Sequence, residues 1–123
     1  MNKQSASGFT LVELMVALAV LMIIFAIGLP AYRGYIQTSQ EGVVITNIHT
    51  IELFQEDFFL RNGVYSEPHA NIAAITAAIG WDPRTDDGIT YSIADSNGTF
   101  YQVTGVHPEG TTVCIRFPEK TRC

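Results

Sequence analysis

The chain has 123 residues, with 12 acidic against 7 basic side chains and a formal net charge of −5. This length suits one small domain, because a single hydrophobic core remains modest at this size. The negative charge argues against general nucleic-acid binding, since contacts to phosphates supply most of that affinity. Hydrophobic residues make up 47% of the sequence, and a long run of them lies near the N-terminus.

The first eight residues form a short polar segment before this apolar run. They include one basic side chain, Lys3, and end at Gly8. A segment this short cannot fold on its own, so we expect a leader that is removed during processing. The run from Phe9 to Leu29 would span roughly 30 Å as a helix, about the thickness of a bilayer hydrocarbon core. We therefore predict a membrane-spanning helix over this run.

One acidic residue, Glu13, interrupts the apolar run. A charged side chain at the centre of a membrane helix costs about 2.5–3.5 kcal/mol on insertion scales. Near the end of the helix the cost is lower, because the side chain can reach the interface. No basic residue lies between Phe9 and Leu29. We therefore expect Glu13 to have a function and a positively charged partner from outside the run.

The sequence Gly-Phe-Thr-Leu-Val-Glu-Leu-Met-Val, which begins at Gly8, resembles the class III signal of type IV pilins and of the related type II secretion pseudopilins. The resemblance implies cleavage by a membrane peptidase between Gly8 and Phe9, N-methylation of Phe9, and a requirement for Glu13 in filament assembly. Pro30 and Tyr32 match the helix-breaking proline and the aromatic residue that the family commonly has after the run. The close match extends to about residue 35, and only the general architecture matches beyond it.

This resemblance implies a structural subunit of a filament and not an enzyme. The expected partners are other pilin subunits, the inner membrane before assembly, the prepilin peptidase and methyltransferase, and the pilus assembly machinery. The subunit would first be a single-pass inner-membrane protein. It would later be part of an extracellular pilus that supports adhesion, twitching motility or DNA uptake. The main alternative is a pseudopilin of a type II secretion system.

In such a filament, Glu13 of an incoming subunit would pair with the Phe9 amine of a neighbour. The pair would set the register, because an ion pair is strong in a low dielectric and an unpaired carboxylate there is costly. The apolar contact between the stacked helices would come from Leu11, Leu14, Leu18, Leu21 and Phe25.

Two other hypotheses for the N-terminal segment remain open. The run could be an ordinary membrane anchor in which Glu13 has no function. It could also be a secretory signal with its hydrophobic region over Leu14–Phe25 and a small-residue cleavage site at Ala26-Ile27-Gly28. Glu13 argues against the second hypothesis, because such signals begin with a positively charged region and this one has only Lys3.

The helix is predicted to continue past the membrane to about Arg61. Its second half has a one-sided pattern in which buried positions recur at steps of three and four. The predicted stripe comprises Val44, Ile48, Ile51, Gln55 and Phe58, widened by Ile45, Leu53 and Phe54. Gly63 should end the helix, because glycine accepts the left-handed conformation. Pro30 lacks a backbone N–H and is expected to kink the helix, with Gly28 and Gly34 weakening the same stretch.

A short helix over Asn71–Ile79 and three strands are predicted after Gly63. The strand segments are rich in β-branched and aromatic residues. They are Ile89–Ala94, Thr99–Val106 and Thr111–Phe117. Turn-forming residues at 95–98 and 107–110 would join them into an antiparallel meander.

The predicted fold class is α+β. The amphipathic half of one long N-terminal helix would cover the apolar face of a small three-stranded antiparallel sheet. We expect three parts: a leader at 1–8, a transmembrane or filament-core helix at 9–29, and a periplasmic or extracellular globular pilin domain at 30–123. This last part includes the second half of the long helix.

Two cysteines, Cys114 and Cys123, lie near the C-terminus. In an exported chain an even pair predicts a disulfide. Closing so short a loop would contribute about 2.5–3 kcal/mol in the chain-entropy model. A cysteine-closed loop near the C-terminus also resembles that of type IV pilins. It favours a pilin over a pseudopilin, since major pseudopilins more often have a calcium-binding loop.

No catalytic site, cofactor or metal ion is predicted. The histidines are His49, His69 and His107, and spacing places no serine or cysteine nucleophile beside them. Three acids that could hold calcium are Asp82, Asp86 and Asp87, although acids in a polar turn are more often solvated. Three cations that leave DNA binding open are Arg116, Lys120 and Arg122, for which a solvated tail is the alternative.

Overall fold

The computed structural model describes residues 6–123, and the first five residues of the expected leader lie outside it. The described residues form two helices followed by four strands. Their bounds are α1 Leu11–Asn62, α2 Ile72–Ile79, β1 Thr90–Ala94, β2 Tyr101–Val106, β3 Thr112–Phe117 and β4 Thr121–Arg122. The chain divides into two compact units, one extending through Ile36 and the other from Gln37 to Cys123.

Helix α1 confirms the prediction of one long N-terminal helix. It begins at Leu11 and not at Phe9, because Thr10 acts as its N-terminal cap. Pro30 lies within the helical span, and the kink at Pro30 stays a prediction. The helix ends before Gly63, which has the expected left-handed conformation with a φ of 76° and donates its backbone N–H to the helix at 2.7 Å.

The second half of α1 contributes one face to the core. Its fully buried side chains are Val44, Ile48, Ile51 and Gln55, and the partly buried ones beside them are Ile45, Phe58 and Phe59. The inclusion of Leu53 and Phe54 in the stripe is wrong, since these side chains are 68% and 40% exposed. At about 100° per residue, Leu53 lies on the side of the helix opposite Ile51 and Gln55.

Gln55, the fully buried polar residue on this face, forms hydrogen bonds through both its amide nitrogen and its amide oxygen to the segment that follows α1. Its Nε2 donates to Ser66 Oγ at 2.6 Å, and its Oε1 accepts the Ser66 backbone N–H at 3.0 Å. Buried polar groups are tolerated when they have such partners. This pair therefore fixes the chain where it turns back from the helix.

Helix α2 is confirmed and has a defined cap at each end. Asn71 Oδ1 accepts the Ala74 backbone N–H at 2.8 Å, and Gly80 adopts a left-handed conformation. The helix buries Ile75. Trp81 follows it in the core and donates from Nε1 to Thr50 of α1 at 2.8 Å.

The sheet is antiparallel, with the order β1-β2-β3-β4. The three predicted strands are present, but the count of three is wrong, because β4 pairs with Ile115 and Arg116 of β3. Two residues are too few to show a strand's alternating pattern in a sequence. The Cys114–Cys123 disulfide, with a Cα–Cα distance of 5.4 Å, joins the chain end to β3.

Aromatic rings fill the core between the helices and the sheet. Tyr101 of β2 is stacked on Phe117 of β3, with ring centroids 5.1 Å apart. The ring of Tyr101 also contacts that of Tyr65, with a centroid distance of 4.7 Å. Trp81 meets Tyr91 of β1 edge to face at 5.1 Å. Such contacts add to the area that the rings bury.

Candidate assembly surface at the N-terminus

The first half of α1 exposes its apolar side chains. Leu11 and Ile27, near the two ends of this half, are 77% and 71% exposed. The helix is long and apolar enough to cross a membrane, and no residue of its most apolar stretch is buried inside the structure. A continuous apolar surface of this size indicates a segment that lipid or other protein chains cover.

Thr10 and Glu13 form two reciprocal hydrogen bonds at the start of α1. The Thr10 backbone N–H donates to Glu13 Oε2 at 2.9 Å, and the Glu13 backbone N–H donates to Thr10 Oγ1 at 3.2 Å. This arrangement is a capping box, which satisfies backbone N–H groups that have no partner within the helix. The carboxylate also lies in the first turn, where the helix dipole favours negative charge.

The capping role of Thr10 was missed from the sequence. A threonine followed three residues later by a glutamate, just before an apolar run, is the pattern that predicts it. The Thr10 N–H is a polar partner for Glu13 but carries no net charge. Within residues 6–123 its second oxygen, Oε1, makes no hydrogen bond.

Gly8 and Phe9 precede the helix in a stretch without regular structure. Phe9 is 93% exposed, and apart from Gly8 and its chain neighbours no described residue lies within 4 Å of the position that a Cβ would occupy at Gly8. The predicted scissile bond therefore lies in an exposed stretch outside the helix.

The C-terminal loop is tied to α1 by two ion pairs. Lys120 Nζ lies 2.9 Å from Glu52 Oε1, and Arg122 Nη2 lies 3.5 Å from Glu41 Oε2. The guanidinium group of Arg116 lies over an aromatic ring, 5.6 Å from its centroid. All three cations of the DNA hypothesis therefore have partners within the chain, and the two ion pairs reduce the charge available to phosphates.

Glu52 is the most connected of these acids. Burial alone would raise its pKa, but hydrogen bonds to Lys120 and His49 outweigh burial and hold the pKa of Glu52 below its usual value. The His49 contact measures 3.1 Å. The predicted disulfide between Cys114 and Cys123 is confirmed. This covalent bond and the two ion pairs to α1 therefore hold the same loop.

Three further candidate residues have a structural setting within the fold: His69, Asp82 and Asp87. Burial lowers the pKa of His69, whose backbone pairs with Ile93 of β1. Asp82 and Asp87 accept backbone N–H groups of their own loop at 3.0 and 3.1 Å. Among residues 6–123, no group of three or more His, Cys, Asp or Glu side chains is placed to hold a metal ion.

Comparisons with known proteins show which family this sequence resembles. Residues 3–29 match the family model described as the prokaryotic N-terminal methylation motif. A fimbrial protein of Dichelobacter nodosus is 31% identical over 97% of this chain and 71% of its own length. No solved structure matches the chain significantly.

Two further relatives carry similar names. The type IV wide pilus major component PilA4 of Thermus thermophilus is 25% identical over 95% of this chain and 86% of its own length. The fimbrial protein EcpC of Eikenella corrodens is 32% identical over 80% of this chain, which spans 62% of that protein. With its methylation motif, its exposed apolar helix and its helix-on-sheet fold, this chain belongs to the type IV pilin family.

Proposed function

We propose that this chain polymerises with other pilin subunits into a type IV pilus through the apolar half of α1. The observation that carries the proposal is the continuous apolar surface from Leu11 to Leu29, with the carboxylate of Glu13 at one end. A helix that is apolar on all sides needs cover on all sides. Lipid gives this cover to a single subunit, and neighbouring helices give it in a filament.

Maturation would precede assembly. A prepilin peptidase would cut between Gly8 and Phe9, and methylation would follow at the new Phe9 amine. Before assembly the subunit would be held in the inner membrane by the helix at 9–29, with the globular part from residue 30 onward outside the cytoplasm. After assembly it would lie in an extracellular filament.

Glu13 would guide each subunit into register. Its Oε2 is bound to the Thr10 N–H at 2.9 Å, which fixes the carboxylate at the helix end. Oε1 would then accept the Phe9 amine of a neighbouring subunit. Placing a fixed carboxylate beside an amine in an apolar bundle is favourable, whereas leaving it there without a cation is costly.

Replacement of Glu13 tests this proposal. Glu13→Ala and Glu13→Gln should both leave cleavage and membrane insertion intact, because the apolar run is unchanged. Both should abolish filaments in sheared-surface preparations, with the mature subunit accumulating in the membrane. Glu13→Asp, which keeps the charge, should retain part of the filament yield. Normal filaments from Glu13→Gln would refute the ion pair.

The relatives support a pilus over a type II secretion pseudopilus, since their names are those of pilus and fimbrial components. Deletion of this chain should therefore remove surface filaments, and not the secretion of folded enzymes. Adhesion, twitching motility and DNA uptake are the roles such a filament would support. The same relatives favour a structural role over an enzymatic one.

DNA binding through Arg116, Lys120 and Arg122 is a less favoured role. Lys120 and Arg122 are paired with acids of α1. Binding to phosphate would have to break those contacts or share them. A gel-shift assay with the folded chain and duplex DNA at low salt should show no binding that depends on these three side chains.

A further inference from the structure

One asparagine in the turn between β1 and β2 belongs to a pattern that the proposed function does not use. Asn97, Gly98 and Thr99 form the sequence Asn-x-Thr, with a residue other than proline in the middle. This is the acceptor pattern for N-linked glycans in exported proteins. Of the five asparagines in the chain, Asn97 alone has serine or threonine two positions later. Because so short a pattern also arises by chance, the geometry at Asn97 decides what it means.

The turn that carries Asn97 is anchored on both sides of this residue. The Ser96 hydroxyl donates to the Ser66 backbone carbonyl. The Gly98 carbonyl accepts the Tyr65 backbone N–H at 3.1 Å. Between these two contacts the side chain of Asn97 is exposed. The fold therefore holds Asn97 at the surface in a defined position.

The Asn97 side chain forms an Asx turn with the residues that follow it. Its Oδ1 accepts the backbone N–H groups of Thr99 at 3.0 Å and of Phe100 at 3.1 Å, and it accepts the Thr99 hydroxyl at 2.7 Å. Within residues 6–123 the amide nitrogen, Nδ2, forms no hydrogen bond. The turn thus uses the oxygen of the amide and leaves its nitrogen without a partner. An aspartate would supply the same oxygen, so the turn itself does not require the nitrogen.

We propose that Asn97 Nδ2 is the acceptor of an N-linked glycan. The donor is a glycan joined through its anomeric carbon to a lipid diphosphate, and the catalyst is a transferase outside the cytoplasm. The bond from Nδ2 to the anomeric carbon forms as the bond from that carbon to the diphosphate oxygen breaks. The lipid diphosphate leaves with the electron pair of the broken bond, and one Nδ2 proton passes to a base of the transferase.

The three hydrogen bonds to Oδ1 would assist this transfer. An amide nitrogen is a weak nucleophile, because its electron pair is shared with the carbonyl group. Donors on the oxygen stabilise the negative charge that develops as the proton leaves Nδ2, since hydrogen bonds to a charged form favour that form. The Thr99 hydroxyl makes the shortest of the three bonds. In this conformation the hydroxyl of the pattern therefore has a chemical role.

The expected compartment suits this chemistry, and here the inference rests on the proposed function. Export would place the globular part with Asn97 outside the cytoplasm. The Cys114–Cys123 disulfide indicates an oxidising environment for the same part of the chain. A glycan on Nδ2 would extend from the turn without breaking a hydrogen bond of the described residues, because the turn is held through Oδ1.

Peptide mass spectrometry of the subunit, recovered from cells that produce it naturally, tests the proposal. Trypsin cuts after Arg84 and Arg116 and releases residues 85–116 as one peptide, in which Asn97 is the sole asparagine. We expect this peptide to carry a glycan, and fragmentation that preserves the side-chain linkage should place it on Asn97. In the intact subunit the mass of the glycan adds to the changes at the N-terminus and the disulfide.

The peptide of residues 62–84 is an internal control from the same digest. It contains Asn62, which is exposed and followed by glycine as Asn97 is, but which has valine at the next position. Its other asparagine, Asn71, also lacks the pattern. This peptide should carry no glycan.

Three variants test which atoms of the pattern matter. Asn97→Asp keeps the acceptor oxygen of the turn and removes the amide nitrogen, so the subunit should fold and lack the glycan. Thr99→Val keeps the backbone N–H, removes the hydroxyl and should lose nearly all of the glycan. Thr99→Ser retains the hydroxyl and should keep most of it. Full glycosylation of Thr99→Val would contradict the proposal.

The same samples separate failure of this proposal from failure of the proposed function. A bare Asn97 in a filament subunit that begins at Phe9 would overturn the acceptor role and leave the proposed function standing. A glycan at Asn97 on a chain that forms no filament would support this site and contradict the proposed function. A chain with neither would contradict both. A glycan that persists in Asn97→Asp, or that fragmentation places on a serine or threonine, would also overturn the proposal.

Discussion

The Cγ1 methyl of Val44 on α1 lies so close to Gly105 of β2 that no side chain fits between them. A Cβ at Gly105 would lie 2.4 Å from that methyl group and 2.9 Å from the ring of Tyr91. Both distances are shorter than real Cβ contacts. The absence of a side chain at residue 105 therefore sets how closely the helix packs on the sheet.

Gly105→Ala should lower the free energy of unfolding by about 1–3 kcal/mol, the usual cost of overpacking a core. Denaturant unfolding in detergent, followed by near-ultraviolet circular dichroism, measures this change. Gly42→Ala is the matched control, because nothing apart from the adjacent helix backbone lies within 4 Å of its Cβ position and alanine favours a helix. It should be neutral or stabilising.

A double-mutant cycle shows whether Val44 causes the cost. Val44→Ala removes the methyl group that the new Cβ would meet. The double variant should therefore be less destabilised than the sum of the two single variants, with a coupling of about 0.5–3 kcal/mol. Strict additivity would mean that the strain at residue 105 has another source.

The pairing of Glu52 with Lys120 should make stability depend on pH. The folded-state pKa of Glu52 is lowered from its ordinary value of 4.5, so its contribution is fully present above that value. It is lost as the pH falls through the folded-state pKa, because the unfolded chain binds the proton more tightly. The difference in unfolding free energy between the native chain and Glu52→Gln should shrink between about pH 7 and about pH 3.

Glu119→Gln is the control for this pH series, since Glu119 is an exposed acid in the same C-terminal loop. It should show little difference from the native chain across the range. If the difference in unfolding free energy between the native chain and Glu52→Gln stays constant from neutral to acid pH, the ion pair makes no pH-dependent contribution to stability.

Features with local signals could be predicted from the sequence. The apolar run, the cap at Gly63 and the turns between strands depend on residues close together in the chain, and these elements are present in the structure. Strand β4 could not be predicted, because two residues carry no pattern and the disulfide positions them. Leu53 was misplaced because its apolar character was given more weight than its helical position, which at about 100° per residue is opposite Ile51 and Gln55.

The ion pairs of the C-terminal loop illustrate a second limit. Arg122 and Glu41 are separated by 81 positions in the chain. They meet only because the sheet brings the chain end to α1, so a sequence pattern shows three cations and not their partners. Thr10 and Glu13 do carry the capping-box pattern in the sequence. Glu13 was interpreted only as an assembly residue, and the capping role of Thr10 was therefore missed.

Removal of the Thr10 hydroxyl should loosen the start of α1. Thr10→Val keeps the shape but removes the acceptor for the Glu13 backbone N–H. Loss of such a cap costs about 0.5–2 kcal/mol, which corresponds to about 2- to 30-fold faster amide exchange. Hydrogen exchange by nuclear magnetic resonance in detergent micelles measures the Glu13 amide directly. Thr10→Ser, which retains the hydroxyl, should exchange at the native rate. Equal rates in all three proteins would show that the cap is not formed.

Intact mass and N-terminal sequencing of the subunit recovered from sheared surface filaments test the central claim most directly. Our account predicts a chain that begins at Phe9, is heavier by one methyl group at its amine, and is lighter by two hydrogens for the Cys114–Cys123 disulfide. Filaments that lack this chain, or a recovered chain that still begins at Met1 or instead begins at Leu29, would contradict assembly through a processed N-terminal helix.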